Sequence, residues 1–216
     1  MNLEIVCMTL GPVETNAYLV GNSLTKEAAV IDPSWDGHLI LEQAQSRGWR
    51  IANIWLTHAH FDHFGGAAAV SDGSNPPPPV ALHPLDYPLW RSGGGSKTFG
   101  IQMDPGPEPT VDFTDGQHIY LGDIEFHVQH APGHSPGHVM LYCPEQGILF
   151  CGDVIFTGSI GRTDLPGGDY EVLMETIQDQ VLTLPNETRL LPGHGLETSV
   201  LNERNSNPFL QGLGEV

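Results

Sequence analysis

The sequence predicts an α/β protein of two similar halves, each a β-sheet, packed sheet against sheet with helices outside. Two observations predict it. Short apolar segments rich in β-branched residues recur in both halves, and a helix-period stripe interrupts or follows each series. In the first third the strand segments are Leu3–Thr9, Asn16–Val20, Glu27–Ile31 and Ile51–Leu56. Between the last two, Asp36–Arg47 reads as a helix. Asp36 supplies a capping side chain, Leu39, Ile40 and Gln43 begin the inward stripe, and Gly48 ends it. A further helix is expected to start at or after Asp62, where Gly65, Gly66 and Ala67–Ala69 permit close approach to a neighbour.

Two stretches predict irregular backbone. Ser71–Pro79 is a turn leading into a polyproline run. Ser92–Thr110 is a glycine- and proline-rich loop whose length suits either a lid over a site or a plain surface excursion. The second half resumes with strand segments Gln117–Leu121, Ile124–His130, His138–Cys143 and Ile148–Cys151. A helix from Asp169 to about Leu184 follows, with Val172, Leu173, Ile177, Val181 and Leu184 on one stripe. Strand Arg189–Leu191 and a short polar tail complete the pattern.

At 216 residues, residues 1–216 read as one domain with a sizeable core. No apolar run approaches the roughly 20 residues needed to span a bilayer, and the first residues lack a basic-then-apolar signal pattern, so a cytoplasmic location is expected. The formal charge of −18 opposes binding to phosphate backbones, which argues against nucleic acid as a partner. Cys7, Cys143 and Cys151 are odd in number and lack C-x-x-C spacing, as expected of reduced thiols in strands.

The chemistry concentrates in "LTHAHFDHFGG", residues 56–66. If the strand before it ends near Leu56, His58 and His60 project the same way, because side chains alternate along extended backbone. Asp62 and His63 follow a turn and project at another angle. One metal ion cannot easily use all four; two adjacent ions can. Further ligands stand at three more strand ends: His134 in "HAPGHSPGH", Asp153 after "ILFCG", and His194 in "RLLPGHG". Each lies beside a glycine.

T-H-A-H-F-D-H, G-H-S-P-G-H, G-D and P-G-H in this order resemble the metallo-β-lactamase superfamily, over nearly the whole chain. The resemblance implies a four-layer αββα sandwich of two mixed sheets flanked by helices. It implies His58, His60 and His134 on one metal, Asp62, His63 and His194 on a second, and Asp153 bridging both. Zinc is the expected ion, with iron or manganese as other occupants. Two divalent ions, two carboxylates and a hydroxide sum to about +1, which favours an anionic tetrahedral intermediate. Asp62 is the expected catalytic group, orienting the hydroxide as well as binding metal.

Within the superfamily, the bridging carboxylate at Asp153 resembles the thioesterase-, lactonase- and nuclease-like branches more than the true β-lactamases. Chain length and acidity disfavour the nucleases. "GPVETNAYLVG", "GSIGRTDLPGGD" and "ERNSNPFL" resemble glyoxalase II, the hydroxyacylglutathione hydrolase, and its single-domain relatives. The implied substrate is a small-molecule thioester such as S-lactoylglutathione, and Arg162, standing where that family places a glutathione-contacting basic residue, reads either as that contact or as a surface ion-pair or turn residue. The resemblance thins at the thiol end. Leu196 and Asp164 replace aromatic contacts, and the chain is too short for the family's C-terminal helical domain. Persulfide dioxygenases share the G-R-T-D stretch and resemble a mononuclear iron site of His58, His134 and Asp153. Lactone and β-lactam hydrolysis are further alternatives.

Other residues carry structural expectations. Asp32, in "VIDPS", either hydrogen-bonds a ligand imidazole or makes an Asp-Pro turn. His138 reads as a packed histidine at a strand start, and Cys151 as a buried strand thiol. His83, His118, His127 and His130 read as structural or solvent-facing.

Overall fold

The structure, a computed structural model, describes residues 2–211. The first half contains β1 (Leu3–Leu10), β2 (Thr15–Asn22), β3 (Glu27–Ile31), α1 (Gly37–Ser46), β4 (Arg50–Trp55), α2 (Phe61–Phe64) and α3 (Ala67–Asp72). It continues with β5 (Val80–Leu82), α4 (Tyr87–Arg91) and β6 (Val111–Asp112). The second half contains β7 (His118–Leu121), β8 (Ile124–His130), β9 (Val139–Cys143), β10 (Ile148–Gly152), β11 (Ile155–Phe156) and β12 (Ser159–Ile160). After these come α5 (Tyr170–Thr176), β13 (Arg189–Pro192), β14 (Thr198–Ser199) and α6 (Val200–Ser206).

Two six-stranded sheets form, ordered β1-β2-β3-β4-β5-β6 and β14-β13-β10-β9-β8-β7. Both are mixed. In the first, β1, β2 and β3 pair antiparallel while β3, β4, β5 and β6 pair parallel. In the second, only β10 and β13 pair parallel. Side-chain alternation builds the layers. Ala17, Leu19, Ala28, Val30 and Ile54 face a cluster with Ile40, Ala44, Phe64 and Val70 of the outer helices. Their strand neighbours Tyr18, Val20, Ala29, Ile31 and Trp55 face Phe126, Val128, Leu141, Phe150 and Leu191 of the other sheet. Met140, Leu149, Cys151 and Leu190 turn the opposite way, onto Leu173 and Ile177. Central strands are thus apolar on both faces, and the order of layers is helix, sheet, sheet, helix.

Several expectations are corrected. Asp36 precedes α1 but makes no side-chain cap, because its backbone is left-handed (φ 44°) where a cap needs an extended residue. The helix predicted from Asp169 begins there, Asp169 capping it by accepting from Val172 N at 3.1 Å, but after Thr176 it widens into a π-helical turn over Ile177–Val181. The predicted polar tail is structured: β14 adds to the second sheet, and Glu203 and Asn207 are buried. β6, β11 and β12 are too short to show a period. Among the described residues, no helix is long and apolar enough to cross a membrane, and all three cysteines are free thiols.

Parallel pairing decides where the loops collect. β3, β4 and β5 run the same way, so Asp32, residues 56–63 and His83–Asp86 emerge at one end of the first sheet. β10 and β13 likewise release Asp153 and His194 at one end of the second, and β8 leads to His134.

Candidate metal centre

His58, His60, Asp62, His63, His134 and His194 meet at that end with Asp153. His58 Nε2, His60 Nδ1 and His134 Nε2 converge: His134 Nε2 lies 2.8 Å from His60 Nδ1 and 3.2 Å from His58 Nε2. Asp62, His63 and His194 form the second group, with Asp62 Oδ2 3.5 Å from His63 Nε2 and 3.3 Å from His194 Nε2. Asp153 lies between them. Its Oδ2 is 3.5 Å from His134 Nε2 and 3.6 Å from His194 Nε2, and its Oδ1 is 3.4 Å from His63 Nε2. Two compact donor sets share one carboxylate.

Outer hydrogen bonds fix which imidazole nitrogens face inward. His134 Nδ1 meets the Arg162 carbonyl at 2.8 Å, an acceptor, so Nδ1 carries the proton and Nε2 presents a lone pair. His63 Nδ1 meets Asp32 Oδ2 at 2.9 Å, with the same consequence. The Thr57 hydroxyl donates to Asp32 Oδ2 at 2.7 Å, so it accepts from His58 Nδ1 at 3.0 Å and turns His58 Nε2 inward too. Lone pairs pointed at one another repel unless a cation stands among them. A tetrahedral ion with Zn–N near 2.0–2.1 Å would place its ligand nitrogens about 3.3 Å apart. His63 Nε2 and Asp153 Oδ1 are moreover buried with no hydrogen-bond partner among the described residues, a costly state for protein atoms that have nothing to bind. The donor set fits two divalent cations.

The protonation balance carries the same imprint. Burial, and then neighbouring imidazoles, hold His58 well below the usual histidine range, and burial brings His60 down to about 3. Burial would lower His63 as well, yet the carboxylates of Asp153, Asp62 and Asp32 raise it well above its usual value. Burial would raise Asp62 and Asp153, but His63 overrides it in both: Asp62 falls to about 2 and Asp153 lower still. Three carboxylates around one imidazole favour its charged form, the electrostatic setting that also suits a cation.

The surrounding contacts answer the open expectations. Asp32 is the imidazole partner rather than a plain turn residue: it also accepts from Thr57 N at 2.7 Å. Thr15 Oγ1 donates to Asp62 Oδ2 at 2.9 Å. His138 is wholly buried and stacks on His58 with centroids 4.9 Å apart, as a packed histidine should, but it precedes β9 rather than opening it. Its Nε2 also accepts from Asp153 N at 3.0 Å, a positioning contact that sequence reasoning missed. Cys151 is buried in β10, away from the donor sets, facing the layer of α5. His118 and His127 stack on the outer hairpin, and His83 stacks on His130.

Asp86 was missed altogether. Fully buried, it accepts from Ala59 N at 2.9 Å, Ser135 Oγ at 2.8 Å and Gly137 N at 2.6 Å. One carboxylate therefore clamps the segment carrying His58 and His60 to the segment carrying His134. The available signal was its place just beyond β5, at the same sheet end as the ligands. Gly137 is required there, because a Cβ would sit 2.6 Å from Asp86 N. Gly193 is required beside the centre, because a Cβ would collide with Asp153 Oδ1 and lie 2.7 Å from His63 Cε1.

A cavity of about 360 Å³ opens onto the centre. His60, Asp62, His134, Asp153 and His194 form its floor, and Val13, Phe61, Leu89, Phe99, Leu165 and Pro166 its apolar walls. The predicted covering loop supplies part of the roof: Gly94 accepts from Phe61 N at 3.1 Å, and Phe99 packs on Phe61 at 5.4 Å. A 3-10 turn over Ser96–Phe99 gives that loop more order than its composition suggests. Arg162 reaches the cavity wall, but its guanidinium is engaged by Asp164 through two bonds of 2.7 Å. Leu196 is 79% exposed.

Comparison with known proteins agrees with this geometry. Residues 10–194 match the family model described as the metallo-beta-lactamase superfamily. The chain is 37% identical to the probable metallo-hydrolase YqgX of Bacillus subtilis over 95% of this chain and 97% of that one. It is 33% identical to the hydroxyacylglutathione hydrolase GloC of Haemophilus influenzae over 97% and 98% of the two chains. Among solved structures, BLEG-1, described as a B3 metallo-beta-lactamase, superposes with a TM-score of 0.89 at 37% identity, covering 97% of this chain and 100% of that one. TTHA1623 in a di-iron-bound form superposes with a TM-score of 0.86 at 40% identity, covering 95% and 100%. The convergent donor sets, the αββα layers and these matches have one common account: the chain belongs to the metallo-β-lactamase superfamily of metal-dependent hydrolases.

Proposed function

We propose that this protein hydrolyses small-molecule thioesters, in the manner of a hydroxyacylglutathione hydrolase, at a two-metal centre. His58, His60 and His134 would hold one ion, Asp62, His63 and His194 the other, and Asp153 both. The observation that carries the reading is the Asp153 carboxylate, whose two oxygens lie 3.4–3.6 Å from donors of both sets. Bound divalent ions would supply a water of lowered pKa and a Lewis acid for the substrate carbonyl.

The protein's own groups do the rest. Thr15 holds Asp62 through Oδ2, which leaves Oδ1 to orient a water at the cavity floor. Asp32, Thr57 and the Arg162 carbonyl keep the imidazoles in the tautomers that bind cations. The walls at Phe61, Phe99 and Leu165 exclude water around an acyl chain. A thioester suits such a site because a thiolate departs without a strong general acid. Similarity to GloC supports the thioester class, and the di-iron form of TTHA1623 supports iron beside zinc as an occupant.

The test is metal analysis joined to a substrate screen. Two ions per chain and turnover of S-lactoylglutathione or another thioester are expected. One iron per chain with oxygen uptake on glutathione persulfide would instead establish the dioxygenase reaction. Turnover confined to lactones or β-lactams would move the protein to another branch; the likeness to BLEG-1 makes the β-lactam arm necessary.

A further inference from the structure

Away from the centre, one further set of mixed donors comes together among the described residues. His118, Glu125 and His127 each offer an atom within 4.8 Å of the other two. None of the three lines the cavity or belongs to the donor sets of the centre. All stand on the hairpin of β7 and β8, where His118 pairs with His127 and Tyr120 with Glu125. Alternation therefore puts these four side chains on one face. The other face holds Ile119, Leu121, Ile124, Phe126 and Val128 against the first sheet. The hairpin is also pinned at its tip. Asn22, at the end of β2, donates through Nδ2 to Leu121 O at 3.0 Å and to Asp123 Oδ1 at 2.7 Å.

The donors are arranged around a gap. The two imidazoles stack with centroids 4.2 Å apart and planes inclined by 23°, and one nitrogen of each faces the same carboxylate. His118 Nδ1 lies 2.8 Å from Glu125 Oε1, while His127 Nε2 stands 3.5 Å from Oε2. The second separation is long for a hydrogen bond. It is close to the roughly 3.3 Å between two ligands of one tetrahedral zinc ion. Tyr120 Oη donates to Oε1 at 2.8 Å, which fixes the carboxylate and leaves Oε2 turned to the gap. Side-chain exposures of 50%, 38% and 32% for His118, Glu125 and His127 let an ion enter, and waters can complete its shell. Two imidazoles and one carboxylate suit zinc, copper(II) or nickel(II); calcium and magnesium prefer oxygen alone. A chain of net charge −18 draws such cations to its surface.

We propose that His118, Glu125 and His127 form an accessory site for a borderline divalent cation such as zinc, and that the bound ion braces β7, the edge strand of the second sheet. The inference does not rest on the thioesterase reading. Three protein ligands at the surface hold the ion weakly, so dialysed protein keeps only the ions of the centre.

The experiment titrates zinc calorimetrically into dialysed protein already loaded at the centre, at a pH above the usual histidine pKa. One further ion per chain should bind, excess calcium should not displace it, and imidazole nitrogen resonances of His118 and His127 should shift together. Hydrogen exchange of the β7 amides should slow by threefold or more. His118→Ala/His127→Ala should lose the event, and Glu125→Gln should weaken it tenfold or more, with the ion content of the centre unchanged in both. No further event in wild type, an event that survives the double variant or yields to calcium, or shifts confined to other histidines would overturn the site. Unchanged exchange in β7 would overturn the bracing. Neither readout depends on which substrate the centre turns over.

Discussion

Replacing Asp86 by Asn removes a charge and alters one atom, so its consequence can be worked from three contacts. The carboxylate accepts Ala59 N and Ser135 Oγ on Oδ2 and Gly137 N on Oδ1. An amide retains one acceptor oxygen. If that oxygen serves Ala59 and Ser135, the NH2 group faces the Gly137 N–H, where the present separation is 2.6 Å. One charge-assisted bond is lost and a buried donor is stranded, at about 1.5–3 kcal/mol. The two surviving bonds also weaken when their acceptor becomes neutral. A total near 3 kcal/mol corresponds to a fall in melting temperature of about 6–12 °C for a protein of this size. The effect on metal should be uneven. Asp86 joins the segments bearing His58, His60 and His134, whereas Asp62 and His63 rest on Thr15 and Asp32. Calorimetric zinc titration of the chelated variant should show one ion weakened about 10- to 100-fold and the other nearly retained. A melting temperature within about 2 °C of wild type, or equal weakening of both ions, would refute the clamp.

Three other outcomes follow from the centre. Asp153→Ala should abolish turnover and lower metal content at both positions; retention of two tightly held ions would contradict a shared carboxylate. Gly193→Ala should displace the Asp153 carboxylate, since the added Cβ collides with Oδ1, and metal content should fall although no ligand has been changed. The metal-free protein should be most stable near pH 6.5. Below that value the unfolded chain takes up protons that His58, His60, His134 and His138, all lowered chiefly by burial, refuse in the fold, so stability falls with pH. Above it the unfolded chain has released protons that His63 and His194 retain, so stability falls as pH rises through their elevated values. Thermal melts of chelated protein across pH 5–8 would read both limbs; a monotonic profile would contradict the balance.

Much of the centre is visible in the sequence because its donors stand in dense motifs at strand ends, and local chain geometry announces a strand end. The short apolar runs within β2, β3 and β10 match strands buried along almost their whole length, so the layered fold can be anticipated from those runs. Arg162 marks the boundary. Its place beside the site is readable from the G-R-T-D stretch, but whether its charge is available depends on the rotamers of two neighbouring side chains.

What the sequence by itself determined is the inventory: which side chains can bind cations, at which strand ends they stand, and where the short apolar strand segments lie. The tertiary structure alone decided the pairing of donors into two sets around Asp153, the role of Asp86 as a clamp, and the path from Asp32 through Thr57 to His58. Those contacts join residues far apart in the chain, and no local period or propensity encodes a distance that arises only when two sheets close on a common core.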